Sequence, residues 1–99
     1  MKVLIVEPGK APLVEDVRDD IGVLQGIVDG WLEIAPLEDD VVLICDEEGK
    51  LRGKEPNRYI DSLEDVIVGT FMVAGSTTEG DLADLTDEQI EKWTKELKV

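Results

Sequence analysis

The sequence has no histidine and a single cysteine, and these two shortages restrict the chemistry that the chain can perform. Histidine is the usual acid or base near neutral pH and the commonest zinc ligand in proteins. Cys45 lies in the apolar run VVLIC and has no second cysteine with which to form a disulfide, which indicates a buried thiol in a reducing compartment. We therefore expect a protein that is not an enzyme and that has no metal site and no cofactor.

Basic residues are scarce as well. The chain has 10 Lys and Arg against 24 Asp and Glu, which gives a formal net charge of -14. A negative field of this size repels nucleic acids and anionic membrane surfaces. It can attract the basic cleft of a nucleic-acid-binding protein, with carboxylates in the place of phosphates, or it can simply keep a small protein soluble. Direct binding to nucleic acid or to a membrane is not expected.

Long hydrophobic runs are also missing from the sequence. The N-terminal run MKVLIV is too short for a signal peptide, and no segment approaches the roughly 18 apolar residues of a membrane span. We therefore expect a cytoplasmic protein. Hydrophobic residues make up 42% of the sequence, which is enough for one modest core. A chain of 99 residues is too short for a second domain, so we expect a single one.

The first half of the chain predicts a strand, a helix and a hairpin. Residues 3–6 are β-branched and apolar and are followed by a Pro-Gly turn, so we expect a central strand there. In residues 16–29 an apolar residue recurs every three or four positions, which predicts an amphipathic helix closed by Gly30 in the left-handed conformation. Residues 31–37 and 41–45 then predict two strands joined by a short acidic turn.

The second half predicts one long buried strand and one helix. Residues 66–74 are apolar on both faces, and residues 76–85 have the composition of a loop. Thr86 and Gln89 form a capping box before a helix with a regular apolar stripe. Together the elements predict a single α+β domain over residues 1–99, with a mixed, mainly antiparallel sheet of four to five strands packed by two helices.

A basic segment follows the strand at residues 41–45. The turn at residues 46–49 is expected to return the chain as a strand, in which Lys50, Arg52 and Lys54 would share one face. Several cations close together on an anionic protein repel one another unless they have a partner. That partner is either a bound anion or a set of neighbouring carboxylates on a protected edge strand, namely Glu47, Glu48, Glu55 and Asp61.

If the partner is an anion, six residues are the candidate contacts. Arginine forks match phosphate oxygens, lysines add mobile charge, an amide can bind a base or ribose, and a tyrosine ring can stack on a base. The candidate ligand-binding residues are Lys10, Lys50, Arg52, Asn57, Arg58 and Tyr59.

Five blocks of the sequence carry a resemblance to a known family: MKVLIVEPGKAP, VDGWLEI, VVLICDEEGKLRGKEPNR, VGTFMVAG and LTDEQIEKW. On these blocks the chain resembles a family of bacterial, phage and mobile-element proteins described as domain of unknown function 3846. The resemblance implies a phage or mobile-element setting and no established activity. Small accessory proteins in that setting often disarm host defence, either by sequestering nucleotide signals or by covering the surface of a defence protein.

Two functions follow as hypotheses. The first is a non-enzymatic protein that captures an anionic, nucleotide-like small molecule through the six residues named above. The second is an acidic inhibitor or nucleic-acid mimic that occupies a basic surface of a host defence protein. Its contacts would be the carboxylates Glu79, Asp81, Asp84, Asp87 and Glu88. The sequence allows a homo-oligomer and does not decide the oligomeric state.

Overall fold

The structure is a computed structural model that describes residues 1–99, and eight strands and two α-helices account for most of the chain. In chain order they are β1 (Lys2–Val6), β2 (Leu13–Asp16), α1 (Ile21–Val28), β3 (Leu32–Glu38), β4 (Val41–Asp46), β5 (Pro56–Ile60), β6 (Asp65–Val68), β7 (Phe71–Ser76), β8 (Leu82–Ala83) and α2 (Asp87–Glu96). A single 3-10 turn, Asp61–Leu63, separates β5 from β6.

One antiparallel sheet organises the molecule. Its strands lie in the order β2-β1-β7-β4-β3, and β8 adds a short pairing at the end of β7. Strands β5 and β6 form a separate antiparallel hairpin. The predicted α+β class with two helices and a mainly antiparallel sheet is confirmed, but the predicted strand count is too low. The missed strands are β2, β5 and β8, which are short and lack an apolar run of their own.

The core lies on both faces of the sheet. On one face, α1 covers Val3, Ile44 and Met72. On the other face, α2 and the β5–β6 hairpin cover a larger cluster that includes Phe71 and Trp93. Side chains of a strand point alternately to the two faces, so a strand buried on both sides has an unbroken apolar sequence, as β4 and β7 do. Neither helix is long and apolar enough to cross a membrane.

Helix α1 is shorter than predicted at its N-terminus and closes on a different residue. It starts after Asp20, whose carboxylate accepts a hydrogen bond from the Val23 amide as an N-cap. Asp29, and not Gly30, adopts the left-handed conformation at its end, with φ 57°. A Cβ on Gly30 would lie 2.3 Å from Oδ1 of Asp46. Glycine is therefore required at position 30 because a buried carboxylate fills the space beside it.

The predicted strand at residues 66–74 is two strands in different sheets. Gly69, at φ 71°, lies in the turn between β6 of the hairpin and β7 of the main sheet. Helix α2 begins as predicted, since the Thr86 hydroxyl accepts from the Gln89 amide and the Gln89 side chain accepts from the Thr86 amide. This capping box is a local interaction, which is why the sequence alone identifies it.

Candidate functional site

The basic segment after β4 is a compact turn, so the prediction of a strand with its cations in one row is wrong. The Asp46 carboxylate accepts a hydrogen bond from the Glu48 amide, 3.0 Å away, and the Asp46 carbonyl accepts from the Gly49 amide at 3.1 Å. The Lys54 amide closes the segment on the Gly49 carbonyl at 3.0 Å. Hydrogen bonds within the segment therefore replace the strand pairing that was expected.

Asp46 is the centre of this turn. Its carboxylate is 1% exposed and accepts hydrogen bonds or ion pairs from Lys54 Nζ at 2.8 Å and from Arg52 Nη1 at 3.0 Å. Burial alone would raise the pKa of Asp46. The hydrogen bonds from Lys54 and the Glu48 amide, with the charges of Lys54 and Arg52, outweigh that effect and hold its pKa below the ordinary value. Asp46 is thus a buried anion with two cationic partners.

The same two cations also join the turn to the C-terminal end of α1. Lys54 Nζ lies 2.8 Å from the Val28 carbonyl and 2.7 Å from the Asp29 carbonyl, and Arg52 Nη1 lies 2.6 Å from the latter. Carbonyls at the C-terminal end of a helix attract cations because they carry the negative end of the helix dipole. Arg52 and Lys54 therefore hold a helix end and a buried carboxylate together.

The other two predicted lysine contacts lie elsewhere and pair with carboxylates. Lys50 forms an ion pair with Asp65 at the start of β6, and its hydrogen bond lowers the pKa of Asp65. Lys10 Nζ lies 2.9 Å from Glu7 within the loop after β1. The structure does not bring Lys10, Lys50 and Arg52 into one recess. The carboxylates that neutralise the basic segment are Asp29, Asp46 and Asp65, and none of them belongs to the set expected from the sequence.

Asn57 and Arg58 connect the hairpin to the rest of the molecule through backbone carbonyls. The Asn57 amide donates to the carbonyls of Val6 and Gly69, at 2.9 and 2.8 Å. The Arg58 guanidinium donates to the carbonyl of Leu97 at 2.8 Å, to that of Lys10 and to Asn57 Oδ1. Burial lowers the pKa of Arg58, although an arginine stays protonated at neutral pH. We call these two side chains the carbonyl clamp.

Tyr59 lies apart from the other predicted contacts, in a recess between α2 and the hairpin. The recess has a volume of about 280 Å³. We call it the Trp93 recess, and its lining residues are Leu37, Glu38, Tyr59, Ile60, Asp61, Ser62, Lys92, Trp93, Glu96 and Leu97. The Trp93 side chain is 8% exposed and its indole Nε1 has no hydrogen-bond acceptor. A buried donor without an acceptor costs about 1–3 kcal/mol, so Trp93 is a polar group that the fold leaves unsatisfied.

Most carboxylates of the chain have no cationic partner. The ion pairs within 4.0 Å use eight of the 24 Asp and Glu side chains, so sixteen have none. Of the ten basic side chains, seven are in these pairs and Arg58 is in the carbonyl clamp, which leaves only Arg18 and Lys98. Eight of the ten cations are therefore engaged by groups of the same chain, although most of their side chains are partly exposed, and most carboxylates have no cationic partner.

Three segments bring exposed carboxylates together at one end of the sheet: the β3–β4 turn, the β7–β8 loop and the start of α2. The Ser76 amide donates to the Asp40 carbonyl at 2.9 Å, which joins the first two. Glu38, Asp40 and Glu88 line one shallow depression, which joins the turn to α2. We call this region the acidic end. Its exposed carboxylates are Asp39, Asp40, Glu79, Asp81, Asp84, Asp87 and Glu88, and they include all five residues named in the second hypothesis.

The single thiol is buried, as the sequence predicts. Cys45 is 6% exposed, and its Sγ lies 3.8 Å from Glu33 Oε1. Burial, followed by the charge of Glu33, raises the pKa of Cys45 to about 12, so the thiol stays protonated at neutral pH. No group of three or more His, Cys, Asp or Glu side chains is arranged so that it could hold a metal ion.

Sequence reasoning missed the role of Asp46 and the Trp93 recess. The signal for Asp46 is an acidic residue at the end of an apolar strand, followed within eight positions by three cations and two glycines. The recess had no local signal, because its walls come from β3, β5 and α2, which are far apart in the chain.

A family model described as "Domain of unknown function (DUF3846)" matches residues 1–98 of the chain. The match confirms the family resemblance that the five sequence blocks carry. No curated protein and no solved structure matches the chain.

Proposed function

The chain belongs to the family of domain of unknown function 3846, and we propose that it is a non-enzymatic binding protein whose acidic end occupies a basic surface of another protein. One observation carries the proposal: eight of the ten cations are engaged by ion pairs or backbone carbonyls of the same chain, and sixteen carboxylates are left without a cationic partner. An anionic protein whose cations are already paired keeps a net negative surface for a basic partner, and the two lysines at the acidic end, Lys2 and Lys92, are paired with Asp87 and Glu38.

The setting that we propose is a phage or mobile element, and the partner is a host defence protein in the cytoplasm. Many defence proteins have to bind nucleic acid, and a basic cleft built for phosphates also attracts a row of carboxylates. The acidic end supports such a contact because three chain segments contribute to it, which makes a broad surface. Its charge sets the rate and the specificity of association more than the final affinity.

Charge reversal at the acidic end tests the proposal. Glu79 and Asp81 are exposed and have no cationic partner, so Glu79→Lys with Asp81→Lys should remove partner binding without unfolding the domain. Partner recovery from a host lysate should fall at least about tenfold for this variant, and also for the unchanged protein when salt rises from about 50 to about 500 mM. Recovery is measured by quantitative pull-down with the protein as bait.

A matched variant separates the acidic end from total charge. Glu47→Lys with Glu55→Lys makes the same change in net charge at the opposite end of β4, where both side chains are exposed and unpaired. This control should recover the partner within about twofold of the unchanged protein. Equal losses from both double variants would mean that net charge alone drives the association, and no loss from either would contradict the proposal.

Nucleotide capture is the second candidate, and one feature favours it. Arg52 and Trp31 line the same open recess beside the end of α1, with a volume of about 430 Å³. Trp31 is 65% exposed, so its ring is free to stack on a base, although the Arg52 guanidinium already contacts Asp46 and Asp29.

A panel of cyclic and linear nucleotides tests this second candidate by thermal melting. A ligand present at about 100 times its Kd stabilises a fold by about 2.7 kcal/mol, which raises Tm by roughly 10 °C or more in a domain of this size. Trp31→Ala should remove the shift, whereas Tyr59→Ala, in the separate Trp93 recess, should keep it. If no nucleotide moves Tm, the protein does not capture a member of the panel.

A further inference from the structure

The Trp93 recess combines an apolar floor with an aromatic wall. Ile60, Trp93 and Leu97 are each less than 10% exposed and form its base, while the Tyr59 ring at its edge is 56% exposed. Its volume of about 280 Å³ is just below the roughly 300–1,000 Å³ typical of small-molecule pockets. The space therefore suits one long side chain better than a whole cofactor or nucleotide.

The charges around the recess are negative. Asp61 and Glu96 line it, are exposed, and have neither an ion pair nor a side-chain hydrogen bond. Its one cation, Lys92, already forms an ion pair with Glu38 and lies 5.5 Å from the centroid of the Trp93 ring. Two carboxylates are thus left to attract a cation from outside, and an anionic ligand would be repelled.

The recess is continuous with the acidic end. Glu38 and Lys92 line both the recess and the depression that holds Asp40 and Glu88. A protein that extends from the acidic end over Glu38 and Lys92 therefore reaches the mouth of the recess.

We propose that the Trp93 recess is the anchor site for a lysine or arginine side chain of the protein that binds the acidic end. The aliphatic stem packs on Ile60 and Leu97, the Tyr59 ring faces the cationic group, and Asp61 and Glu96 neutralise it. This inference rests on the proposed function for the identity of the occupant. A side chain that fills this recess would make the contact specific, which the charge of the acidic end alone does not. Buried anchor residues have this role in protein interfaces.

Tryptophan fluorescence reports on the recess directly. The chain has two tryptophans, and Trp31 is mostly exposed, so Trp31→Phe leaves Trp93 as the only reporter in an otherwise intact domain. The probes are Nα-acetyl-arginine amide and Nα-acetyl-lysine amide, with Nα-acetyl-citrulline amide as the uncharged match for arginine. The two cationic probes should give a saturable change in Trp93 emission at constant ionic strength, and citrulline should bind at least about fivefold more weakly.

Two double variants in this background decide the outcome. Asp61→Asn with Glu96→Gln should weaken arginine binding at least about fivefold, whereas the equal charge loss of Glu79→Gln with Asp81→Asn should change it by less than about twofold. Equal binding of arginine and citrulline, equal effects of the two variants, or no response at all would overturn the anchor site, and the charge-reversal test of the acidic end would still stand. Arginine binding in the recess together with full partner recovery after reversal at Glu79 and Asp81 would instead retain the cation site and reject the proposed function.

Discussion

Replacing Asp46 with asparagine should lower the free energy of unfolding by about 3 kcal/mol, which corresponds to a fall in Tm of roughly 12–24 °C. The substitution keeps the size of the side chain but removes the charge that neutralises Lys54, whose side chain is only 16% exposed. Breaking a buried pair on one side leaves an uncompensated charge, and Arg52, at 44% exposed, limits the loss because water can reach it. Urea and thermal unfolding measure the change.

Asp29→Asn is the matched control for Asp46. Its carboxylate faces the same two cations at 3.7 and 3.9 Å but is 82% exposed. Ion pairs of that kind contribute at most about 1 kcal/mol, and asparagine tolerates the left-handed conformation that Asp29 adopts. If the two variants lost similar amounts of stability, the burial of Asp46 would not explain the large effect of removing its charge.

The pH dependence gives a second check on Asp46. Its pKa is lowered in the folded state, so the carboxylate stabilises the fold at pH values above its ordinary pKa of 3.8, and that contribution is lost as pH falls through the lower, folded value. The difference in stability between the unchanged protein and Asp46→Asn should therefore be constant near neutral pH and should shrink below about pH 4. A difference that grew on acidification would have the wrong sign for this mechanism.

The basic segment shows where prediction from the sequence fails. Lys50, Arg52 and Lys54 occupy alternate positions in the chain, as residues on one face of a strand do, and this spacing led to the strand prediction. What the pattern could not reveal is a buried acceptor, Asp46, together with the carbonyls at the end of α1, which lie 25 and 26 positions from Lys54. Long-range contacts decide the conformation here, and they override the strand preference of the segment.

Local signals were reliable wherever the interaction itself is local. The capping box of α2 joins residues three apart, and the β3–β4 hairpin joins neighbours in the chain, so both were predicted. The apolar run at residues 66–74 misled because a continuous apolar sequence does not show which sheet each residue joins. Gly69 was the available clue, since its conformation at φ 71° favours glycine and ends β6.

The candidate site was predictable only in part, for the same reason. The carboxylates Glu79, Asp81, Asp84, Asp87 and Glu88 are close in sequence and remain close in the fold, so their clustering could be predicted, whereas the nearness of Asp39 and Asp40 could not. The six proposed ligand contacts are spread over 50 positions, and in the fold they lie in four places: the loop after β1, the turn, the carbonyl clamp and the Trp93 recess. A count of cations could not reveal that backbone carbonyls, the buried carboxylate of Asp46 and exposed carboxylates would bind them.

Arg58→Ala should destabilise the protein by about 3 kcal/mol and should do so without any ligand present. Its guanidinium donates to carbonyls of Lys10 in the loop after β1 and of Leu97 at the end of α2, and it also holds Asn57 in place. Hydrogen bonds from charged donors contribute about 1.5–3 kcal/mol each, less where water can replace the acceptor, as at Lys10. Urea unfolding measures the loss, which is a large part of the roughly 5–15 kcal/mol that stabilises a domain of this size.

Two further variants separate geometry from charge at this position. Arg58→Lys keeps the charge but loses the fork that reaches separate carbonyls, so it should recover less than half of the lost stability. Arg18→Ala removes an exposed arginine with no hydrogen bond or ion pair and should change stability by less than about 0.5 kcal/mol. An Arg58→Ala protein as stable as the Arg18→Ala control would free Arg58 for an anion and strengthen the nucleotide hypothesis. A large loss would mean that Arg58 holds the hairpin to β1 and α2 and that its guanidinium is not available to an anion.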